Sequence, residues 1–389
     1  MHPPRALQSL QTKLIILCLL VGGLPSMGVA WLAYHNSASS MEAQIGEGAA
    51  RLTFNTVDKI DRGLFERYGD VQAFANLEVA RTGDAARISA IMNRMMQIYA
   101  PMYQLMVIAD ATGTIIAVNT VDPSGQPLDT APLIGRDVRR APWFTQAVAP
   151  SHKAGETVLS DLEEDPDVAR LYQGHGRVLT FSYPIKDPDG RVVGVWMNRF
   201  DWRVVEQILQ SVVTRAAERE QRHFAFTLVR QDGMVLDSPH DGDILHLSLT
   251  YRPMIQRLLT LTNGTNGTDT DAGIASPVRS VLGFVREPGY SVFPGFGWGL
   301  IMEEAETEAY ASVYELRRHV LWFLFAMASV AVVIALIFSR SLVRPLKTAA
   351  DLMEDICQNW DLTRRLSVGN RDEVGRLCES VNLFVGKLQ

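Results

Sequence analysis

Two long apolar runs, residues 14–33 and 320–338, carry no charged side chain and stand at opposite ends of a polar stretch. Each has about the 20 residues that a helix rising ~1.5 Å per residue needs to cross ~30 Å of hydrocarbon. The pattern therefore predicts two membrane-spanning helices. The first run exceeds the roughly 7–15-residue apolar core of a secretory signal, and no small-x-small cleavage site follows Pro25, so it is expected to be retained as an anchor. Arg5 and Lys13 precede the first run and Arg340, Arg344 and Lys347 follow the second, which places both flanks in the cytoplasm. Arg317 and Arg318 lie on the other side, where a long translocated domain overrides their charge. Residues 35–318 are then outside.

Between the runs the periodicity changes once. Met41, Ile45, Leu52, Ile60, Leu64, Val71 and Phe74 keep to one helical face with slow drift, predicting a long helix that continues from the first run. After Pro101 short β-rich segments alternate with turn signals: strand, Asp110-Ala111-Thr112-Gly113 turn and strand over 104–118, and the same around Asp187-Pro188-Asp189-Gly190 over 178–200. A weak repeat is visible. Residues 105–118 are echoed by 225–238, each an apolar strand, a glycine turn and a second strand, and 202–220 reads as a helix joining two similar modules. Asn263-Gly264-Thr265 and Asn266-Gly267-Thr268 match the glycosylation acceptor pattern but read most simply as a flexible loop.

After the second run come two amphipathic helices. Leu346, Ala350, Met353 and Cys357 mark one face of the first, which Pro345 opens at a position where its missing N–H costs nothing. Val374, Leu377, Val381, Phe384 and Leu388 recur at spacings of 3 and 4 in the second, the seam of a coiled coil, so a homodimeric bundle is expected.

Composition narrows the class without adding chemistry. A net charge of −6 argues against nucleic-acid binding. Of the three cysteines, Cys18 falls in the first run and Cys357 and Cys378 in the tail, so the external domain has no disulfide and must be held by its core. No metal-ligand spacing, nucleophile motif or phosphate loop stands out, and neither a cofactor nor a catalytic residue is expected.

Pro345 just past an apolar helix, Asp361-Leu362-Thr363 in the connector and Asp372-Glu373-Val374-Gly375 opening the last helix together resemble a HAMP linker. The resemblance implies relay roles for Pro345, Glu373 and Gly375, with Glu373 favoured at its helix start by the dipole. Four segments resemble the double Cache domain of bacterial receptors: Ala141-Pro142-Trp143-Phe144, Val192-Val193-Gly194-Val195, residues 294–300 and residues 64–70. The fold class implied is an α/β membrane protein with a long N-terminal helix and two PAS-like modules with antiparallel sheets. The boundaries are a cytoplasmic 1–13, a span at 14–34, the sensor domain at 35–318, a span at 319–339 and HAMP at 340–389. Within the sensor domain the distal module covers about 76–201 and the proximal module about 222–304.

The implied function is small-molecule sensing across the bacterial inner membrane, relayed to a cytoplasmic signalling module not contained in these residues and most simply serving chemotaxis. A histidine kinase or diguanylate cyclase output stays open, as does a membrane-anchored hydrolase. The family's amino-acid-binding members have Arg-Pro-Trp-Tyr where this chain has Ala141-Pro142-Trp143-Phe144, and the position of their ligand-amine acid, counted from Gly194, falls on Arg199. A carboxylate or other anion is thus expected, held by Arg140 and Arg199 unless these form ordinary salt bridges. Trp143, Phe144, Tyr183 and Trp196 line the pocket or belong to the core, and Asp161 and Tyr172 lie in a polar segment, 160–172, that covers the cleft or is a solvated loop. Strand alternation puts Trp196 and Asn198 on one face and Met197 and Arg199 on the other.

Overall fold

The computed structural model describes residues 12–13, 16–17, 19–359, 362–367 and 372–388. Arg5, Leu14, Cys18 and Asp361, used above, lie outside the described residues, as does the side chain of Leu388. Two compact units emerge, 43–310 and 1–42 with 311–389.

The helical face read from residue 41 onward belongs to α1 (Leu24–Ala75), a helix of 52 residues. Val57, Ile60, Leu64, Tyr68, Val71 and Phe74 are buried along it at the 3- and 4-residue spacings that define one side of a helix. Asp61 interrupts this stripe and is fully buried. After α1 the chain forms α2 (Ala85–Ile98), capped by Asp84, whose side chain accepts from the Arg87 N–H.

The first module is a five-stranded antiparallel sheet built from β1 (Tyr103–Asp110), β2 (Ile115–Val118), β3 (Val158–Glu164), β4 (Arg177–Lys186) and β5 (Val192–Asp201). Between β2 and β3 lies α3 (Pro142–Ala147), and between β3 and β4 lies α4 (Pro166–Tyr172). Helix α5 (Arg203–Glu220) leads to the second module. Its strands are β6 (Phe224–Val229), β7 (Val235–Asp237), β8 (Asn266–Ala272), β9 (Arg279–Arg286) and β10 (Gly299–Ala305), with α6 (Pro253–Thr260) packed after β7. The sheet orders are β2-β1-β5-β4-β3 and β7-β6-β10-β9-β8, the same path traced twice. The repeat between 105–118 and 225–238 is therefore the first hairpin of each sheet.

Alternation gives each sheet two apolar faces. The inner faces, with Met106, Ile108, Phe181, Trp196 and Phe200 in one module and Phe226, Leu228, Val281, Leu300 and Met302 in the other, share one core with α1. Each outer face has its own smaller core, under α3 and α4 in the first module and under α6 in the second. Two sequence expectations change here. Segment 160–172 is not a solvated loop but the end of edge strand β3 followed by α4, because Asp165 and Pro166 start a capped helix. The second Asn-Gly-Thr opens edge strand β8, whose polar, mostly exposed residues keep the sheet edge from pairing further.

In the other unit, α7 (Ala311–Phe338) passes through a π-helical turn into α8 (Arg344–Asn359), followed by α9 (Glu373–Leu388). Among the described residues one helix, Ala311–Asn359, is long and apolar enough to cross a membrane. Leu20, Met27, Met327 and Ile334 line one apolar cleft of about 990 Å³, so the described part of the first run lies beside the second. In the tail hairpin the contact face is not the predicted one. Ala349, Leu352 and Ile356 pack on Cys378, Val381 and Val385, while Leu346, Met353, Cys357, Leu377 and Phe384 stay exposed. Val381 alone of the described seam residues is buried within the chain. A helix in a four-helix arrangement needs two apolar faces, and the hairpin uses one of them.

Candidate functional site

The outer face of the first module is where the sequence put a binding site, and strand register decides which residues reach it. Met197 and Arg199 lie on that face, whereas Trp196 is fully buried on the inner face against the ring of Phe74, 5.7 Å between centroids. Trp196 Nε1 donates to Asn198 Oδ1 at 2.8 Å, so the alternation read from the sequence holds. Pro142 starts α3 and thereby turns Trp143 and Phe144 into the outer core, where both are buried with rings 5.9 Å apart. Ser182 Oγ donates to the Trp143 carbonyl at 2.8 Å and fixes α3 on β4.

Arg199 does not offer a free fork. Its Nη1 lies 2.6 Å from Glu163 Oε1 and its Nη2 2.7 Å from Asp165 Oδ2, and Nη1 also donates to Thr180 Oγ1. Asp165 at the same time accepts the N–H groups of Asp167 and Val168, both at 2.9 Å, as the N-cap of α4. One guanidinium thus faces two carboxylates, which leaves the floor of this site with an excess of negative charge. Both terminal nitrogens of Arg199 are thus already engaged by carboxylates, while its Nε has no hydrogen-bond partner among the described residues. Glu163, half exposed, forms the rim.

The other nominated residues are dispersed. Arg140 is exposed in the loop before α3, beside the Arg139–Asp137 ion pair. Tyr183 pairs across the ladder with Trp196 and so faces inward, its hydroxyl accepting from the Gly155 N–H at 3.1 Å. Asp161 leaves the outer face altogether and accepts from Trp298 Nε1 of the second module at 3.0 Å. Burial pushes its carboxyl up to about 6, against the pull of the Leu162 N–H and the Trp298 indole. The structure places Trp143, Phe144 and Arg199 on the outer side of the first module and separates Arg140, Asp161 and Tyr183 from them.

Sequence reasoning missed the partners of Arg199. Glu163 and Asp165 were visible only as part of an acidic run, Glu163-Glu164-Asp165, and the Asp165-Pro166 pair that starts α4 was the available signal. It also missed Arg177, which reaches from β4 to Asp241 of the second module at 2.5 Å and lies 3.9 Å from Glu206 of α5. Residues 64–70 are fixed to β1: Tyr103 donates to Asp70 Oδ2 at 2.7 Å, and Arg67 Nε lies 2.7 Å from the same oxygen.

In the tail, Pro345, Val374, Gly375 and Cys378 line one cleft of about 410 Å³. Asp372 caps α9 by accepting the Gly375 N–H at 2.9 Å, and exposed Glu373 sits at its first turn. Asn382 binds both the N–H and the carbonyl of Leu366 at 2.8 Å, tying the connector to α9.

Residues 337–389 match the HAMP domain family, so the resemblance read in the tail is borne out. Over 255 residues the chain is 28% identical to the methyl-accepting chemotaxis protein PctB of Pseudomonas aeruginosa, covering 65% of this chain and 36% of that protein. It is 27% identical over 259 residues to the methyl-accepting chemotaxis protein McpA of Pseudomonas putida, again 65% and 36%. The chain thus spans about a third of the length of these relatives. Among solved structures, the ligand-binding domain of the Pseudomonas aeruginosa amino acid chemoreceptor PctC in complex with GABA is 17% identical, with a TM-score of 0.47, covering 66% of this chain and 98% of that one.

Proposed function

We propose that this chain is the sensing and relay portion of a bacterial membrane receptor, most simply a chemotaxis receptor. Residues 35–318 lie outside the inner membrane, spans at 14–34 and 319–339 anchor them, and a HAMP bundle formed with a second copy passes the signal to a cytoplasmic module. The observation that carries this reading is the order of parts: a two-module domain, then a helix apolar enough to cross a membrane, then a HAMP match beginning on that helix. Sensing requires no chemistry at the site. A ligand that binds one state better than another by ~1–3 kcal/mol suffices, with helix shifts of ~1–2 Å.

The ligand belongs over the outer face of the first module, above Trp143, Phe144 and Arg199. With Arg199 held between Glu163 and Asp165, the expected ligand carries an amine and not only an anionic group. This replaces the anion expected from the sequence alone.

Thermal unfolding of the full chain in lipid nanodiscs, screened against simple amines and simple carboxylates, tests both parts. Binding to the folded state raises stability by ~2.7 kcal/mol at a hundredfold excess over the dissociation constant. A shift from carboxylates alone would overturn the ligand class. A reporter fused at Gly264 should behave as periplasmic, and cytoplasmic behaviour there would overturn the receptor reading.

A further inference from the structure

Two fully buried carboxyl groups and a half-buried one, from three parts of the chain, lie near Trp298. Asp61 comes from α1, Glu287 from the residue after β9, and Asp161 from β3 of the first module. Trp298 joins two of them directly: its backbone N–H donates to Glu287 Oε2 at 2.9 Å and its indole N–H to Asp161 Oδ1 at 3.0 Å. Glu287 Oε2 also accepts the Phe296 N–H at 2.7 Å. Trp298, Asp61 and Glu287 are fully buried, and neither oxygen of Asp61 receives a hydrogen bond of normal geometry. The ring of Trp298 is locked between Trp202, edge-on at 5.6 Å, and Phe296, stacked at 4.8 Å, so it cannot swing away from Asp161 without opening the contact between the modules.

Two carboxylates cannot both stay charged in a dry site. Asp61 faces Glu287, and burial first and the Glu287 charge second raise it to about 10, with Asp58 adding to the same direction and the Gly289 amide opposing it. Burial likewise raises Glu287, while Asp61 and the amides of Phe296, Gly297 and Trp298 pull it down. Burial of the pair therefore favours a neutral carboxyl on Asp61 beside Glu287. The remaining charged neighbours are Arg62, which pairs with Asp58 and lies over the Tyr290 ring at 4.7 Å, Arg286 beside Glu287, and Arg230, which pairs with Asp232 and acts on Asp161 from the turn after β6.

We propose that Trp298 is the hub of a proton-gated junction: uptake of a proton by Asp161, beside the buried carboxyl groups of Asp61 and Glu287, tightens the hold of the first module on the second. With Asp161 ionised, its carboxylate is held away from water, and the Glu287 charge adds repulsion against the pull of Arg230. Protonation removes that desolvation cost and leaves an acceptor oxygen for the Trp298 N–H. External acidity then sets how firmly the two modules move together, whatever ligand the outer face takes.

The sign follows from linkage. Asp161 holds its proton more tightly in the closed junction than when solvated, so closure is favoured as the pH falls through about 6 and the advantage is absent above it. Between about pH 7.5 and pH 5 the closing equilibrium should strengthen by roughly tenfold.

Hydrogen exchange of the full chain in nanodiscs reads this at the amides of Phe296 and Trp298, after correction for the intrinsic pH dependence of exchange. The wild type should show about tenfold greater protection at the lower pH. Asp161→Asn keeps an acceptor without a charge, and should show high protection at both values. Trp298→Phe keeps the ring and removes the N–H, so the midpoint should move above that of the wild type, because a donor that favours the carboxylate is gone. A pH response unchanged by Asp161→Asn, or a wild-type midpoint near the ordinary aspartate range, would overturn the proposal. If one variant fails to fold, the wild-type midpoint and the other variant still decide.

Discussion

The two modules follow one path yet differ in the charges buried along it. In the first module Arg199 and Asp165 are buried on the outer face with exposed Glu163 at their rim, and the inner-face position that ends the first hairpin is Ala117 opposite Ile108. In the second module Glu287 and half-buried Asp237 lie toward the core shared with α1, while Glu303 is buried on the outer face opposite Leu282. Asp237 stands at the position of Ala117 in the repeated hairpin and pairs across the ladder with Leu228, as Ala117 does with Ile108. The first module thus carries a buried cation on its outer face where the second carries buried Glu303, and the second adds acids facing α1 and the neighbouring module.

Arg199→Ala is the most direct way to break this comparison. It would leave Asp165 buried and without its cation while that side chain is still needed as the cap of α4. Removing one partner of a buried pair costs ~3–5 kcal/mol, so chemical denaturation should show a loss of that size. A loss under about 1 kcal/mol, the value of an exposed pair, would mean that the outer-face network is ornamental to the fold.

Asp237→Asn tests the second module in the other direction. Burial first, then the nearby Glu206 charge, raises Asp237 to about 7, and it lines a cleft of about 490 Å³ with Glu206, Phe224 and Phe226. An acid with a raised folded-state value costs nothing below the ordinary aspartate range and costs progressively more as the pH rises through about 7. The variant should therefore match the wild type near pH 3.5 and exceed it by up to about 4 kcal/mol above pH 7.5. An offset that does not change with pH would show that Asp237 titrates normally and that the inner-face contrast is only geometric.

What was legible in the sequence was periodic or punctuated. The α1 face, both hairpins, the strand alternation around Trp196 and the HAMP tail all follow from spacing and turn residues. What was not legible depended on partners far apart in the chain. Glu163 and Asp165 meet Arg199 only because β3 pairs with β4 and β4 with β5. Asp61 and Glu287 have no spacing relation, although an aspartate inside the apolar stripe between Val57 and Leu64 was a signal that a buried acid needed an explanation. The tail seam was read as one face and the hairpin packs through another, since periodicity gives a face but not its partner.

The smallest effect sharpens the likeness that makes the contrast meaningful. Gly113 and Gly233 close the first hairpin of each module at φ +80° and +79°, a region that costs an L-residue ~1–2 kcal/mol. Each donates its N–H back across its turn, to Asp110 and Arg230, and each offers its carbonyl to the segment that runs toward the outer-face helix, to Val138 N at 2.7 Å and Leu249 N at 2.8 Å. A Cβ would approach the Arg139 backbone nitrogen to 3.0 Å in one case and that of Thr250 to 3.2 Å in the other. Gly113→Ala and Gly233→Ala should therefore destabilise by nearly the same amount, each about 1–3 kcal/mol when strain and crowding are taken together. Equal losses would mean that the turn was inherited by both modules and that divergence acted on side chains alone. A difference above about 1.5 kcal/mol would place part of the divergence in the backbone itself, where the two modules now look alike.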